Sequence, residues 1–539
     1  MLQHTLLAAA LTAAMMSPLA SAQAIQWRVV AGEDGRVVAN HLPAGTSRLF
    51  GDVLVGDAGG DLLGMRVSTP ESAAGYWARH QGNWTRYTQA NVTGALGPGR
   101  TGAEAGHVFL TVPTGGSGAS PDGQRYFLAR AGEPGNTASA SYGQWRWDTS
   151  RNIEIARTLT DGILGPGLGA NWVFPNSTSF ASSIGMRNGQ ALLDGNVTSP
   201  TGASSHLIAR HVPGEGNKPC LRSGATDALL APGLVAGDSF NSSWLSSDLS
   251  VSSAGRVYGR FSATGSRAGI WEVCNGAPRA IAVDDETGAR GPAIGVATAM
   301  FSSDIRTPHP GRGNTFSFFA YYRLAEGATS RFGLFWHDGV SNRPLAINDE
   351  AGTYGPHWEN ATWRTFDDAS LSTAGDFAAF SAGVTTSDGG NPNGLWRVRT
   401  GGSPELVALI GLTGSYGPEP GRTWQSFGAT AVLPTGEIIV EAVTDPSDQY
   451  GIWVLAPGQA PRRIFDLSVP IAVPTATGTV EAAVTSANLP NGGATFNRGI
   501  DTWIGADGTI TFSPTVSTFG RVVLTGKASD RIFLGTFEP

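Results

Sequence analysis

An aromatic or large apolar residue followed 21 positions later by proline recurs along this 539-residue chain. Trp77 and Pro98, Trp145 and Pro166, Trp271 and Pro292, Phe335 and Pro356, and Trp453 and Pro474 all keep that interval. Trp396 and Pro418 are 22 apart, and Leu207 and Pro232 are 25 apart, with the Cys220 segment as the insertion. Successive prolines (Pro43, Pro98, Pro166, Pro232, Pro292, Pro356, Pro418, Pro474) define repeats within a 52–68-residue range. Such a period marks a repeat architecture, in which one unit cannot bury its own faces and must stack on its neighbours.

Each unit reads as strands and turns. Trp172 and Phe180 precede Gly189-Gln190-Ala191-Leu192-Leu193, Trp363 and Phe366 precede Gly375 to Phe380, and Trp424 and Phe427 precede Gly436 to Val440. About four short apolar runs per unit are bounded by Gly, Pro, Asn, Asp and Ser, and no stretch sustains a 3.6-residue period. The 74 glycines and 32 prolines are spread among apolar residues, which suits tight turns rather than disorder. The expected fold is all-β: a β-propeller of eight four-stranded blades, with seven as the alternative. Ile25 to Pro43, which starts with Trp27, and residues 475–539 are expected to close the ring by completing one blade together. Residues 25–539 then form a single domain.

The run Ser372-Thr373-Ala374-Gly375-Asp376-Phe377-Ala378-Ala379-Phe380 resembles the tandem repeat of exported bacterial proteins with an Asn-x-x-Gly-x-x-Ala-Phe signature. Segments 250–258 and 433–437 are weaker copies, and the signature Asn is mostly Ser, Arg or Leu here. That resemblance implies export and a repeat scaffold, and it carries no activity.

Export is also expected from Met1 to Ala24, where an apolar run is followed by small residues suited to cleavage after Ala22 or Ala24. In that setting Cys220 and Cys274, in neighbouring repeats, are expected to form a disulfide. No later segment has the ~20 apolar residues that would span a bilayer. A net charge of −7 with 15% charged residues leaves no basic stripe for nucleic acid. The expected protein is secreted or periplasmic, monomeric and free of cofactor.

Chemistry-bearing residues concentrate in the unit 333–363: Trp336, His337 and Asp338, then His357, Trp358 and Glu359. His beside a carboxylate suits acid–base work, and exposed aromatics suit sugar rings. Against this stands the turn chemistry of Asp338-Gly339 and the reading of both histidines as loop residues. Gly333, Phe335, Gly355, Pro356 and Trp363 recur between units, whereas Trp336, His337, His357, Trp358 and Glu359 are read as particular to this one. Acidic turns at Asp284-Asp285-Glu286 and Asn348-Asp349-Glu350 admit Ca²⁺, but their spacing fits no fixed coordination loop. His206, His211 and His309 lack zinc spacing, and no Gly-x-Ser-x-Gly elbow occurs. The residues favour a scaffold binding an envelope or extracellular polymer, or a protein, over a carbohydrate-active lyase or hydrolase. A structural surface protein is the third reading.

Overall fold

The computed structural model describes residues 25–527 apart from 26, 33, 35, 38–47, 57–61, 69–73, 81–82, 112–117, 121–123, 177–181, 242–248, 253, 303, 311–313, 446–448 and 488–507. Residues 1–24, expected to be a signal segment, together with Pro43 and Phe180, lie outside the described residues. Seven blades, each an antiparallel sheet with its strands in sequence order, span 48–89, 108–157, 182–222, 249–283, 300–347, 362–409 and 423–466. The seven-blade alternative is therefore the count of regular four-stranded units.

The eighth unit takes another form. Arg28–Gly32 pairs with Gly520–Lys527, which also binds Thr509–Phe512 and Thr515–Val516. The N- and C-terminal segments thus share one sheet, as the incomplete units at either end of the repeat series require. Trp27 anchors this sheet on blade 7: its indole N–H donates to the Ile464 carbonyl at 2.8 Å, and its ring meets Phe465 and Phe512 edge-on.

The first strands of successive blades lie against one another, as Thr362–Ala374 does with Thr423–Val432 and His309–Pro310 does with Thr362–Ala374. The first strands therefore line the axis and the fourth strands form the rim. Pairing of several first strands breaks midway, between Phe50 and Leu54, Asp367 and Ser372, and Phe427 and Thr430. Extra residues of this kind bend and twist a strand, and here they do so beside the axis.

Two devices recur at the boundaries between blades. The end of a fourth strand bridges in parallel to the following first strand at Ala90–Phe109, Asp284–Phe301 and Ile410–Trp424, and to the connection leading into it at Thr158–Phe174 and Ser223–Phe240. The repeated tryptophans also reach backwards. Trp145, Trp271 and Trp396 donate their indole N–H to the carbonyls of Pro98, Pro232 and Pro356 at 3.0, 3.0 and 3.4 Å. Each of these prolines belongs to the preceding repeat, so the periodic Trp and Pro of the sequence are joined across blade boundaries. The turn that presents proline is tight: Gly94 has φ +73°, and a Cβ on Gly97 would lie 2.3 Å from the Val92 carbonyl oxygen.

Trp145, Trp271, Trp363, Trp396, Trp424 and Trp453 are all less than 2% exposed. Burying a ring of this size contributes about 4–6 kcal/mol of transfer free energy before entropy is set against it. That is the energetic reason the repeat keeps tryptophan. The expected Cys220–Cys274 disulfide is present and joins the fourth strand of blade 3 to the end of the third strand of blade 4.

Candidate functional site at the mouth of the ring

The residues singled out from the sequence do not converge. Trp336 and His337 are neighbours on the third strand of blade 5, Arg331–His337, so their side chains leave opposite faces of the sheet. Trp336 is buried in the core between blades 5 and 6. His337 is also buried, stacked on Phe316 with centroids 5.1 Å apart, and its Nδ1 bonds the Asn342 side-chain oxygen at 3.0 Å. That oxygen can only accept, so Nδ1 carries the proton. Burial drives the His337 pKa down, against the opposing effect of the Asn342 bond. The side chain is a neutral core group, not an exposed loop histidine.

His337 also proves to be part of the repeat. His211 in blade 3 makes the same bond to Asn217 at 3.0 Å, and burial depresses its pKa in the same way. Asn217 and Asn342 in turn donate to the carbonyls of Gly165 and Gly291, at 2.8 and 3.3 Å, in the Gly-Pro turn of the preceding blade. Asn152 does so toward Gly97 at 3.0 Å. These asparagines escaped the sequence reading. Their signal is a fixed offset, with Asn152 and Asn342 each lying seven residues beyond Trp145 and Phe335.

His357 and Glu359 are exposed on the connection between blades 5 and 6, both with left-handed backbone (φ 49° and 45°). The His357 Nε2 bonds the Thr353 carbonyl at 3.1 Å. Trp358 is half-buried against the core that holds Trp336 and Trp363. The charged groups acting on His337 are Arg279, Asp338 and Glu272, and neither His357 nor Glu359 is among them. The two histidines form no acid–base pair.

A different group of side chains gathers at the mouth of the ring. Tyr321 and Phe332 face each other beside the second-to-third-strand hairpin of blade 5, with centroids 5.8 Å apart. Phe332 meets Phe366, on the first strand of blade 6, edge-on at 5.7 Å. All three rings are half-exposed. Arg306 lies over Phe319 at 4.4 Å, and Phe319 contacts both Tyr321 and Phe332. Beside Phe366 the same inner strand exposes Arg364, Thr365 and Asp367, and the next inner strand exposes Gln425 and Ser426 beside half-exposed Phe427. The recurring Trp-x-x-Phe spacing (Trp363 and Phe366, Trp424 and Phe427) generates this pattern. Tryptophan enters the core, and the phenylalanine three positions on, just before the bulge, stays partly in solvent.

Asp284 stands apart electrostatically. Its equivalents Thr158 and Ser223 use their hydroxyls to receive the backbone N–H of Tyr142 and His206. Asp284 gives one oxygen to the same task, receiving the Ala268 N–H at 3.3 Å, while the other is buried without a partner among the described residues. Burial, helped by nearby Asp285 and Asp304, pushes its pKa up to about 7. Asp285 itself pairs with Arg323 at 2.6 Å. Among the described residues no group of three or more His, Cys, Asp or Glu side chains is placed to hold a metal ion. Also among those residues, no helix is long and apolar enough to cross a membrane.

No protein-family model matches the chain, and no curated protein does. Several solved structures are similar over most of its length. A Mycobacterium tuberculosis puromycin-hydrolyzing peptidase shares 12% identity at TM-score 0.32, covering 93% of this chain and 54% of its own. The chain thus spans about half of that peptidase. An ulvan lyase, a polysaccharide lyase, shares 11% identity at TM-score 0.30 over 93% of this chain and 96% of its own. The WD40 domain of SCAP from fission yeast shares 7% identity at TM-score 0.33 over 94% and 98%. Scores this low carry no argument about what the present chain does.

Proposed function

We propose that this protein is an exported scaffold that binds a polymer, foremost a polysaccharide, across the mouth of the ring at blades 5 to 7. One observation carries the reading. The half-exposed rings of Tyr321, Phe332, Phe366 and Phe427 stand beside exposed Arg364, Thr365, Asp367, Gln425 and Ser426 on or next to the innermost strands. Flat apolar faces suit the C–H faces of sugar rings, while the neighbouring amide, hydroxyl and charged groups suit their hydroxyls and any uronate or sulfate. The inner-strand bulges supply these groups without disturbing the buried tryptophans beneath them. The disulfide supports an oxidising, extracytoplasmic setting, in keeping with the resemblance to exported repeat proteins. A glycan-binding screen on the full chain, with neutral, uronate and sulfated polysaccharides, tests the reading. Retention of at least one class is expected, and no retention by any of them opposes it.

A second reading, a polysaccharide lyase or hydrolase, is favoured by Asp284 alone. A carboxyl poised near pH 7 has the protonation behaviour of a general acid–base group. Unsaturated or reducing ends released by the wild type and lost in Asp284→Asn would support it, and their absence in both leaves the binding scaffold.

A further inference from the structure

Arg125 opens the second strand of blade 2, Arg125–Gly132, opposite Trp147 on the third strand. It is 1% exposed. Alternation along the strand places it on the face of Phe127 and Ala129, which belong with Tyr87, Trp145 and Trp147 to the core between blades 1 and 2. The equivalent residues, each paired two positions beyond the repeated aromatic site of its own third strand, are Ala191, Val257, Phe316, Ala378 and Ile438. All five are buried and apolar. A guanidinium here is therefore a departure from the repeat.

Its three nitrogens, Nε, Nη1 and Nη2, are all buried without a hydrogen-bond partner among the described residues. Two other buried guanidinium groups are paired, Arg100 with Glu154 at 2.7 Å and Arg397 with Glu405 at 2.6 Å. Among the described residues Arg125 alone has all three nitrogens buried and unpartnered, where Arg130, Arg146, Arg222, Arg260 and Arg323 have only Nε so placed. Arginine does not shed its proton in proteins, so burial cannot neutralise it as it would lysine. An unpaired charge in such a place is strongly unfavourable unless a counter-charge comes in from elsewhere. The fork of N–H donors, on the strand face that carries Phe127 and in register with Trp147, suits a small anion that can shed most of its water.

We propose that Arg125 is the binding group of an internal site for a small inorganic anion, halide or oxyanion, between blades 1 and 2. Occupancy ties two blades together around one charge, so the anion acts as a structural ligand that stabilises the folded ring. The site is separate from the ring mouth and does not depend on the polymer-binding reading.

The test uses the full chain. Thermal unfolding is followed while sodium gluconate is exchanged for sodium chloride, and separately for sodium sulfate, at constant ionic strength. The wild type should gain several degrees in Tm with chloride or sulfate, following the mass action of a ligand that binds only the folded state, and Arg125→Met should not respond. Parallel responses in both proteins would overturn the proposal. Should Arg125→Met fail to fold, crystals of the wild type grown in bromide decide. An anomalous peak within hydrogen-bonding reach of the guanidinium is expected, and its absence there would overturn the proposal.

Discussion

The indole N–H of Trp145 donates to the carbonyl of Pro98 at 3.0 Å across a blade boundary, between residues 47 positions apart in the chain. Trp271–Pro232 and Trp396–Pro356 repeat the bond. Stability should therefore depend on the donor as well as on the ring. Trp145→Phe keeps most of the apolar area but leaves the Pro98 carbonyl unpaired, a loss of about 1–3 kcal/mol. Trp145→Ala should lose about 3–5 kcal/mol. Urea denaturation of the two variants measures both, and a Trp145→Phe variant as stable as the wild type would mean the hydrogen bond contributes nothing.

The two histidines of the 333–363 unit should behave oppositely. Exposed His357→Ala should change stability by no more than about 0.5 kcal/mol. His337→Ala strips a buried hydrogen bond and a ring contact and should cost about 2–4 kcal/mol.

His337 should also make the ring acid-sensitive. The folded state depresses its pKa below the ordinary value of 6.5, so the unfolded chain binds the proton more tightly. The stability this provides is present above pH 6.5 and is lost as pH falls through the depressed value. His337→Gln should flatten the stability curve over that range, and His211→Gln should do the same.

Asp284 gives a pH dependence in the other direction. Its folded pKa of about 7 lies above the ordinary 3.8. Folding favours the protonated form, and the stability so gained is full below about pH 4 and lost as pH rises through 7. The cost at pH 8 is at most about 4 kcal/mol. Asp284→Asn should remove it, making the variant more stable than wild type at pH 8 and flattening the curve between about pH 4 and 7.

The Cys220–Cys274 bridge closes a 54-residue segment. Replacing both cysteines with serine should lower stability by about 2–4 kcal/mol, near the chain-entropy value for a loop of that length. Mass mapping without reductant should recover the linked peptides, whereas two alkylatable thiols would refute the link.

The ring was legible in the sequence because its repeat is written in residues with few substitutes. Tryptophan supplies area and a donor, glycine supplies a turn without Cβ, and proline ends the turn. Blade number was less legible at the ends, since Trp27 shows that a unit begins there but not that its partners are Phe465 and Phe512, hundreds of positions away. The site was less legible still. His337 looked particular to its unit because His211 sits beside an Ala209 that replaces the usual aromatic, which hides the match. Tyr321, Phe332 and Phe366 come from two blades, and no local pattern announces that their edges share one solvent-facing surface.

The most direct test of the binding account is the affinity of the full chain for the best-retained polysaccharide, compared with Tyr321→Ala, Phe366→Ala and the exposed control His357→Ala. Loss of one stacking platform is worth about 1–3 kcal/mol where rings of this kind carry recognition. A drop of roughly tenfold or more for the Tyr321 and Phe366 variants is predicted, measured well below each variant's unfolding midpoint, with wild-type affinity for His357→Ala. Undiminished binding by both aromatic variants would contradict the account.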